Sequence, residues 1–405
     1  MSAPRILVLG SYPAVNPRHG GQVRLSSIVA AYRARGFHVA QASFFPAHDF
    51  YTRSAMGPAD VALPVTALRS WQGKPSAWVE DLVAGDVAAA DARALAGLER
   101  YSGKVDFVHL EQPWLLPVVR KLRERGAIGA FDLVYGSQNI EHELKRAILR
   151  QHHVPEEDEI SGAVLALERE CAHEAAVVAA VTNEDAEVLS AWTSATVVLA
   201  SNGVTPWQSD EHARAKWRER TGPDPFCLYV ASAHPPNIQG FCESFGESLA
   251  GLSPAQRVVL AGHVGEFIPP TEWFRRWQPL NERRTVALGV LDIADLSAVR
   301  DLAHTFLLPV TSGGGSNLKT AEALYSGRHV VATPLAMRGF EHLSDLPGLR
   351  IVQPGPDFAR AVARSLDEPQ PVPDAQATQR RESLGWPHAM AALCDALAAH
   401  RSTAA

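Results

Sequence analysis

The sequence predicts an α/β protein built as two successive domains, each a parallel sheet covered by helices on both faces. Three observations lead there. The 405 residues suit two domains, because single hydrophobic cores stop growing at roughly 250–300 residues. Short β-rich runs alternate with helical stretches from end to end, as in parallel sheets joined by crossover helices. The alternation then restarts after the turn Ser201-Asn202-Gly203, so one α/β series follows another.

In the first series the expected strands are Arg5–Gly10, Phe37–Phe44, Val105–Leu110, Leu133–Gly136, Ala179–Thr182 and Thr196–Ala200. Each is a nearly continuous apolar run, which a strand buried on both faces requires. A helix is expected over Gln22–Arg35, closed by Gly36 where a left-handed residue ends the last turn. A long acidic helix is expected from about Glu156 to Ala180. The second series gives strands Phe226–Ala231, Arg257–Ala261, Thr285–Gly289, Thr305–Val310, His329–Thr333 and Leu349–Val352. A proline-rich stretch, Glu368 to Pro373, ends it. One more helix follows, Trp386 to His400, with apolar positions at Met390, Leu393, Leu397 and Ala398. The expected divisions are 1–202, 203–385 and 386–405, the first two Rossmann-like.

Composition narrows the function. Hydrophobic residues make up 46% and charged residues 20%, and the formal charge is −6. That profile is globular, and it argues against a partner whose main feature is a nucleic-acid phosphate backbone. The four cysteines, Cys171, Cys227, Cys242 and Cys394, form no CxxC pair, so neither a zinc knuckle nor a redox dithiol is expected. The first apolar run, Ile6 to Ser11, is too short for a secretory leader, and no apolar stretch approaches a membrane span. A cytoplasmic protein is expected, with room for peripheral contact at the inner face of the membrane.

The sharpest motif is Thr311-Ser312-Gly313-Gly314-Gly315-Ser316-Asn317-Leu318-Lys319-Thr320-Ala321-Glu322. A buried strand feeds a triple glycine, and a helix opens near Asn317. Glycines let the backbone turn sharply and approach a ligand, and the free N–H groups of a helix start attract an anion. Lys319, the only lysine after Lys216, adds a point charge suited to phosphate. Glu322 lies about one turn further, where a carboxylate accepts from vicinal hydroxyls such as a ribose diol. A plain turn bearing a solvated lysine and glutamate is the bland alternative. The loop is not a Walker motif, since GxxxxGK[ST] is absent.

Two further loops follow first strands. Gly20 and Gly21 precede a helix at the carboxyl edge of the first sheet, where open α/β folds bind ligands, and Arg24 on its first turn is a candidate to face that edge. Ser232-Ala233-His234-Pro235-Pro236-Asn237 holds the equivalent place in the second series, with Ser232, His234 and Asn237 as donors, or with Asn237 as a simple N-cap. In the first half His109 and Glu111 close one strand, and Gln138 and His142 follow the next. HExxH, DxD, GxSxG and the kinase signatures are all absent. His152-His153 beside Glu156-Glu157 reads as a solvated loop, not a metal site.

Taken jointly, these stretches resemble the GT-B glycosyltransferases, in particular the large retaining family 4, over almost the whole chain. Gly313 to Thr333 is similar to the donor segment of that family, Tyr229 to Asn237 to its first donor-domain loop, and Ser201-Asn202-Gly203-Val204 to its hinge turn. The resemblance implies two Rossmann-like domains facing across a cleft, the first holding the acceptor and the second the nucleotide sugar. The helix from Trp386 would cross back onto the first domain. It implies a ribose-binding role for Glu322, donor contacts from Ser232, His234, Asn237, Gly313, Gly314, Gly315, Ser316, Asn317 and Lys319, and acceptor-side places for Gly20, Gly21, Arg24 and Glu111. Two departures stand out. Gly314 occupies the place of the first glutamate of a pair eight positions apart, and Gln138 that of a histidine, with His109 and His142 as imperfect substitutes.

The implied activity is sugar transfer from a nucleoside diphosphate sugar to an acceptor hydroxyl, retaining and metal-independent, with no cofactor. Lys319, the 313–317 amides and Arg24 would carry the charge of the departing diphosphate, and closure about residues 201–224 would exclude water. The acceptor would be a glycan, a lipid-linked sugar or a small molecule, in bacterial polysaccharide, glycolipid or other glycoconjugate synthesis. A catalytically silent GT-B subunit supporting a partner transferase, or a GT-B sugar-nucleotide epimerase, remains as an alternative.

Overall fold

A computed structural model describes residues 3–52, 55–101, 105–126, 128–372 and 374–404. Met1 and Ser2, ahead of the first strand, and Pro373, at the end of the proline-rich stretch, lie outside the described residues. The chain divides into two compact units, Met1–Ser201 with Trp386–Ala405, and Asn202–Gly385.

The first unit carries β1 (Arg5–Gly10), β2 (His38–Pro46), β3 (Val61–Leu63), a small antiparallel hairpin of β4 (Ser70–Trp71) and β5 (Lys74–Pro75), then β6 (Phe107–Glu111), β7 (Asp132–Gly136), β8 (Ala175–Ala180) and β9 (Thr196–Leu199). Seven of these form one sheet in the order β3-β2-β1-β6-β7-β8-β9, with parallel pairings throughout. The chain steps outward from β1 to β3, then returns to pair β6 on the other side of β1. The order therefore reverses between β1 and β6, the place where open α/β sheets carry their ligand crevices. Leu7, Leu9, Val108 and Leu110 are fully buried in the core at that centre. This burial on both faces is why the strands read as unbroken apolar runs.

The expected helix to Ala180 is shorter. It spans Glu157–Glu174, and Ala175–Ala180 is β8 rather than its last turns. The run Ala-Ala-Val-Val-Ala-Ala is small enough for either state, but its place between β7 and β9 demands a strand with both faces covered. Thr182, expected to end a strand, instead caps the next helix, its Oγ1 accepting from Asp185 N at 3.0 Å. The expected terminal helix is two pieces, Trp386–Ala389 and Ala391–Ala404, which pack on the helix Gly20–Ala34 and on β8 and β9 of the same unit. Gly36 has φ +83°, the left-handed stop that its position required.

The second unit carries β10 (Phe226–Val230), β11 (Arg257–Ala261), β12 (Thr285–Gly289), β13 (Thr305–Leu308), β14 (His329–Ala332) and β15 (Leu349–Ile351), in the parallel order β12-β11-β10-β13-β14-β15. Its sheet has a core on each face. Phe241, Phe245 and Phe358 fill one; Trp217, Phe306 and Phe340 fill the other. Here the order reverses between β10 and β13, so the loops that leave these two strands diverge at the centre of the carboxyl edge.

Candidate functional site

The second unit brings the two motifs of that edge together. After β10 the chain turns into the helix Pro235–Phe245, and Gly240 of this helix lies against the loop that follows β13: a Cβ there would meet the Pro309 carbonyl oxygen at 2.3 Å. From the other side, the helix Leu318–Tyr325 presents Lys319. Its Nζ donates to Asn237 Oδ1 at 2.6 Å and stands 5.6 Å from the centre of the Tyr229 ring. Asn237 is held for this. Its Nδ2 donates to the Ser232 carbonyl oxygen and to Ser232 Oγ, both at 3.2 Å, while Tyr229 Oη donates to its backbone carbonyl at 2.9 Å. Burial pushes the Lys319 ammonium down to about 8, because desolvation disfavours the charged form. An anion brought to this place would recover that cost.

Asn237 is not the helix N-cap that the sequence also allowed. His234 takes that position without a side-chain cap bond, and its imidazole is pushed below its ordinary value by desolvation and by the charge of Lys319. Ser232 and His234 are exposed on the loop.

The triple-glycine loop is shaped by residues that local pattern did not single out. Gly313 and Gly315 have φ of +120° and +54°, which L side chains adopt rarely. Arg338, in the loop after β14, donates from Nε to the Gly315 carbonyl at 2.5 Å and from Nη2 to the Gly313 carbonyl at 3.0 Å. The N–H of a trans peptide points opposite its carbonyl, so the Gly314 and Ser316 amides face away from Arg338. Asn202 Nδ2 donates to Ser316 O and Oγ, each at 3.0 Å. Asn317 stands at the N-cap with no side-chain cap bond. Glu322, one turn past Lys319, has its Oε2 at 2.5 Å from Arg300 Nη2.

In the first unit, the residues expected at the carboxyl edge converge, but as an internal network. Arg24 Nε meets Glu111 Oε2 at 3.2 Å, both side chains essentially without solvent exposure, and Arg24 Nη1 donates to the Ala200 carbonyl at 2.9 Å. His109 is fully buried, its Nδ1 at 2.7 Å from Tyr32 Oη and its Nε2 at 3.1 Å from Glu111 Oε1. Gln138 Nε2 donates to Glu111 Oε2 at 2.8 Å and to Tyr12 Oη at 2.5 Å. Burial pushes the Glu111 carboxyl up, but Arg24 and His109 outweigh it and hold the group below the usual carboxylate range.

These contacts correct two expectations. Arg24 does not reach toward a ligand; it neutralises Glu111 inside the unit. His109 cannot stand in for a solvent-facing histidine, because both ring nitrogens are taken by interior partners. His142 is held as well, its Nδ1 at 2.9 Å from Glu168 Oε2, and Glu168 also accepts from the Glu141 and His142 amides at 2.6 and 2.8 Å. Gly20 opens its helix on the surface. Gly21 has a packing reason, since a Cβ there would lie 2.4 Å from Tyr12 Oη.

Beside this network, Gln112 has φ +74°, an uncommon strain for a side chain with a Cβ. It aims Nε2 at Glu141 Oε1, 3.1 Å away. Glu141 is buried, and burial pushes its carboxyl up to about 7. Both residues lie in the stretches that close or follow strands of the first series, His109 to Gln112 and Ser137 to Glu143, but their pairing carried no signal of its own. Arg338 carried none either: it reaches the glycine loop from the segment after β14, a contact between elements far apart in sequence.

No family model and no curated protein matches the chain. Solved structures do. Sucrose-phosphate synthase from Thermosynechococcus elongatus superposes with a TM-score of 0.67 at 15% identity, over 99% of this chain and 100% of that one. HepE of Anabaena, solved in complex with UDP-glucose, gives 0.59 at 16%, over 99% and 98%. The catalytic domain of starch synthase IV from Arabidopsis thaliana, bound to ADP and acarbose, gives 0.62 at 12%, over 99% of both chains. The fold is GT-B. In this fold each unit is a Rossmann-like domain, and the β10/β13 reversal point belongs to the second. Among the described residues no three His, Cys, Asp or Glu side chains come together as a metal cluster, and no helix is long and apolar enough to cross a membrane.

Proposed function

We propose that this protein transfers a sugar from a nucleoside diphosphate sugar to an acceptor hydroxyl, with retention at the anomeric carbon and without a divalent metal. One observation carries the reading. Lys319 is fixed by Asn237 at the point where the strand order reverses, which is where open α/β sheets bind ligands. Its desolvated ammonium is matched to a diphosphate, whose charge grows as the glycosidic bond breaks. The Gly314 and Ser316 amides, turned away from Arg338, add donors of the same polarity. Glu322, with Oε2 on Arg300, keeps Oε1 for a ribose diol.

In the transfer, the bond from the anomeric carbon to the diphosphate oxygen breaks and a bond to the acceptor oxygen forms on the same face. The acceptor proton passes to the departing diphosphate. A glycan, a lipid-linked sugar or a small molecule serves as acceptor, in polysaccharide or glycoconjugate synthesis. Similarity to structures solved with UDP-glucose and with ADP supports the nucleoside diphosphate class.

Thermal denaturation of the full chain with UDP, ADP and GDP tests the binding step, since a ligand of the native state alone raises the melting temperature. One of the three should raise it. The matching sugar nucleotide should then be hydrolysed slowly without acceptor, equally well in EDTA. No shift with any of the three sinks the reading; loss in EDTA with recovery in manganese sinks its metal-free part.

A further inference from the structure

We infer that Arg300 is a positioning residue for nucleotide recognition: it fixes the Glu322 carboxylate so that one oxygen is presented to the ribose diol. The inference rests on the proposed nucleoside diphosphate site and extends it to a residue in a different helix.

Arg300 lies in the last turn of the helix Ile293–Leu302, which connects β12 to β13. Glu322 lies in the helix Leu318–Tyr325, which follows β13. Arg300 Nη2 stands 2.5 Å from Glu322 Oε2, with the arginine side chain 13% exposed and the glutamate 28%. The contact is a close, partly buried ion pair. It occupies one carboxylate oxygen and leaves the other lone pairs for further donors.

The guanidinium is itself immobilised. It stacks over the Trp207 ring, 4.9 Å from its centre, and Trp207 packs edge-on against Tyr325 of the glutamate helix, 5.4 Å between centres. Trp207 Nε1 donates to Asp301 Oδ1 at 3.1 Å, which fixes the indole. The Arg300 Nε is buried with no hydrogen-bond partner. A buried donor left unmatched is a cost, and it is tolerated here because the guanidinium is held by its Nη2 end and its π face. A surface ion pair would show none of this framing.

A free glutamate side chain loses rotamer freedom when it binds a diol. One already pinned through Oε2 has lost that freedom beforehand, so binding is preorganised.

The experiment measures affinity for UDP, ADP and GDP, each against its 2′,3′-dideoxy counterpart, by calorimetry on the full chain. Wild type should prefer one ribonucleotide over its dideoxy form by about tenfold or more, the worth of hydrogen bonds to a charged acceptor. Arg300→Gln should lose most of that preference while binding the dideoxy nucleotide as wild type does. Arg300→Lys keeps the charge and should recover part of it. Unchanged discrimination in Arg300→Gln overturns the inference and leaves the nucleotide site standing. Equal loss for both nucleotides also overturns it, because that marks a structural role only. Should wild type bind a nucleoside diphosphate without preferring ribose, Arg300 has no diol to serve and the inference fails. Absence of any nucleoside diphosphate binding overturns both the inference and the site.

Discussion

Lys319 Nζ and Asn237 Oδ1 meet at 2.6 Å, and this one bond ties together the loops that leave the two central strands of the second unit. Lys319 arrives from the helix after β13 and Asn237 from the helix after β10. Their side chains are 82 positions apart in sequence. The pair places a desolvated cation at the strand-order reversal, and the bond to a neutral amide leaves the charge unneutralised for an anionic ligand.

Removing that cation should act on turnover. Lys319→Ala is expected to lower kcat by about 10²-fold, as for one lost oxyanion donor, with a smaller change in KM. Lys319→Arg should recover part of it. Wild-type turnover in a folded Lys319→Ala protein would show the lysine to be an ordinary surface charge.

The same group should set an alkaline limb. With its ammonium at about 8 in the free protein, kcat/KM should fall as pH rises through that value. A bound diphosphate favours the charged form, so the limb in kcat should lie higher. Stability moves in the opposite sense. The unfolded chain binds more protons between about 8 and the ordinary lysine value, so this group makes stability rise with pH across that window. Coincident limbs in kcat and kcat/KM would contradict the diphosphate contact.

The Arg24–Glu111 pair predicts a stability cost. Arg24→Met leaves the buried Glu111 carboxylate without its cation and should cost about 3–5 kcal/mol in urea denaturation. Adding Glu111→Leu should restore a large part, because the uncompensated charge is then gone. A single mutant within about 0.5 kcal/mol of wild type, the usual range for substitutions away from such features, would mean the pair contributes nothing.

Gly136 should tolerate no side chain. An alanine Cβ would sit 2.3 Å from Glu111 Oε1 and 2.7 Å from His109 Nε2. Overpacking of this kind costs about 1–3 kcal/mol, so Gly136→Ala should melt well below wild type in calorimetry. An unchanged melting temperature would show the His109–Glu111 contact to be loose.

Glu141 should make the first unit less stable as pH rises. Burial raises its carboxyl from the model-peptide range to about 7, with Glu168 and Asp81 adding to the rise and the Gln112 and Asn139 bonds opposing it. The native chain then binds the extra proton between about 4.5 and 7, so stability from this group falls across that window. Glu141→Gln keeps an acceptor for Gln112 and removes the titration. Its melting temperature should gain on wild type by several degrees between pH 5 and pH 8, and a constant gap would place the titration elsewhere.

The sequence by itself determined the two α/β series, eleven of whose twelve expected strands lie within two residues of their observed bounds at both ends, and the glycine-rich loop with Lys319 and Glu322. These are local matters: a strand covered on both faces must be apolar throughout, and a left-handed turn needs glycine. The sequence read Ala175–Val178 as helix because small residues suit helix and strand alike, and only the neighbours β7 and β9 settle the state. Tertiary structure alone decided that Arg24 and His109 serve Glu111 inside the first unit, that Asn237 serves Lys319 and not its own helix, and that Arg300 and Arg338 stand behind Glu322 and the glycine loop. Each of these contacts joins different elements, so its residue types carry no periodic or spacing signal. Whether an arginine among thirty-two faces water or a buried carboxylate depends on which strands the sheet makes adjacent.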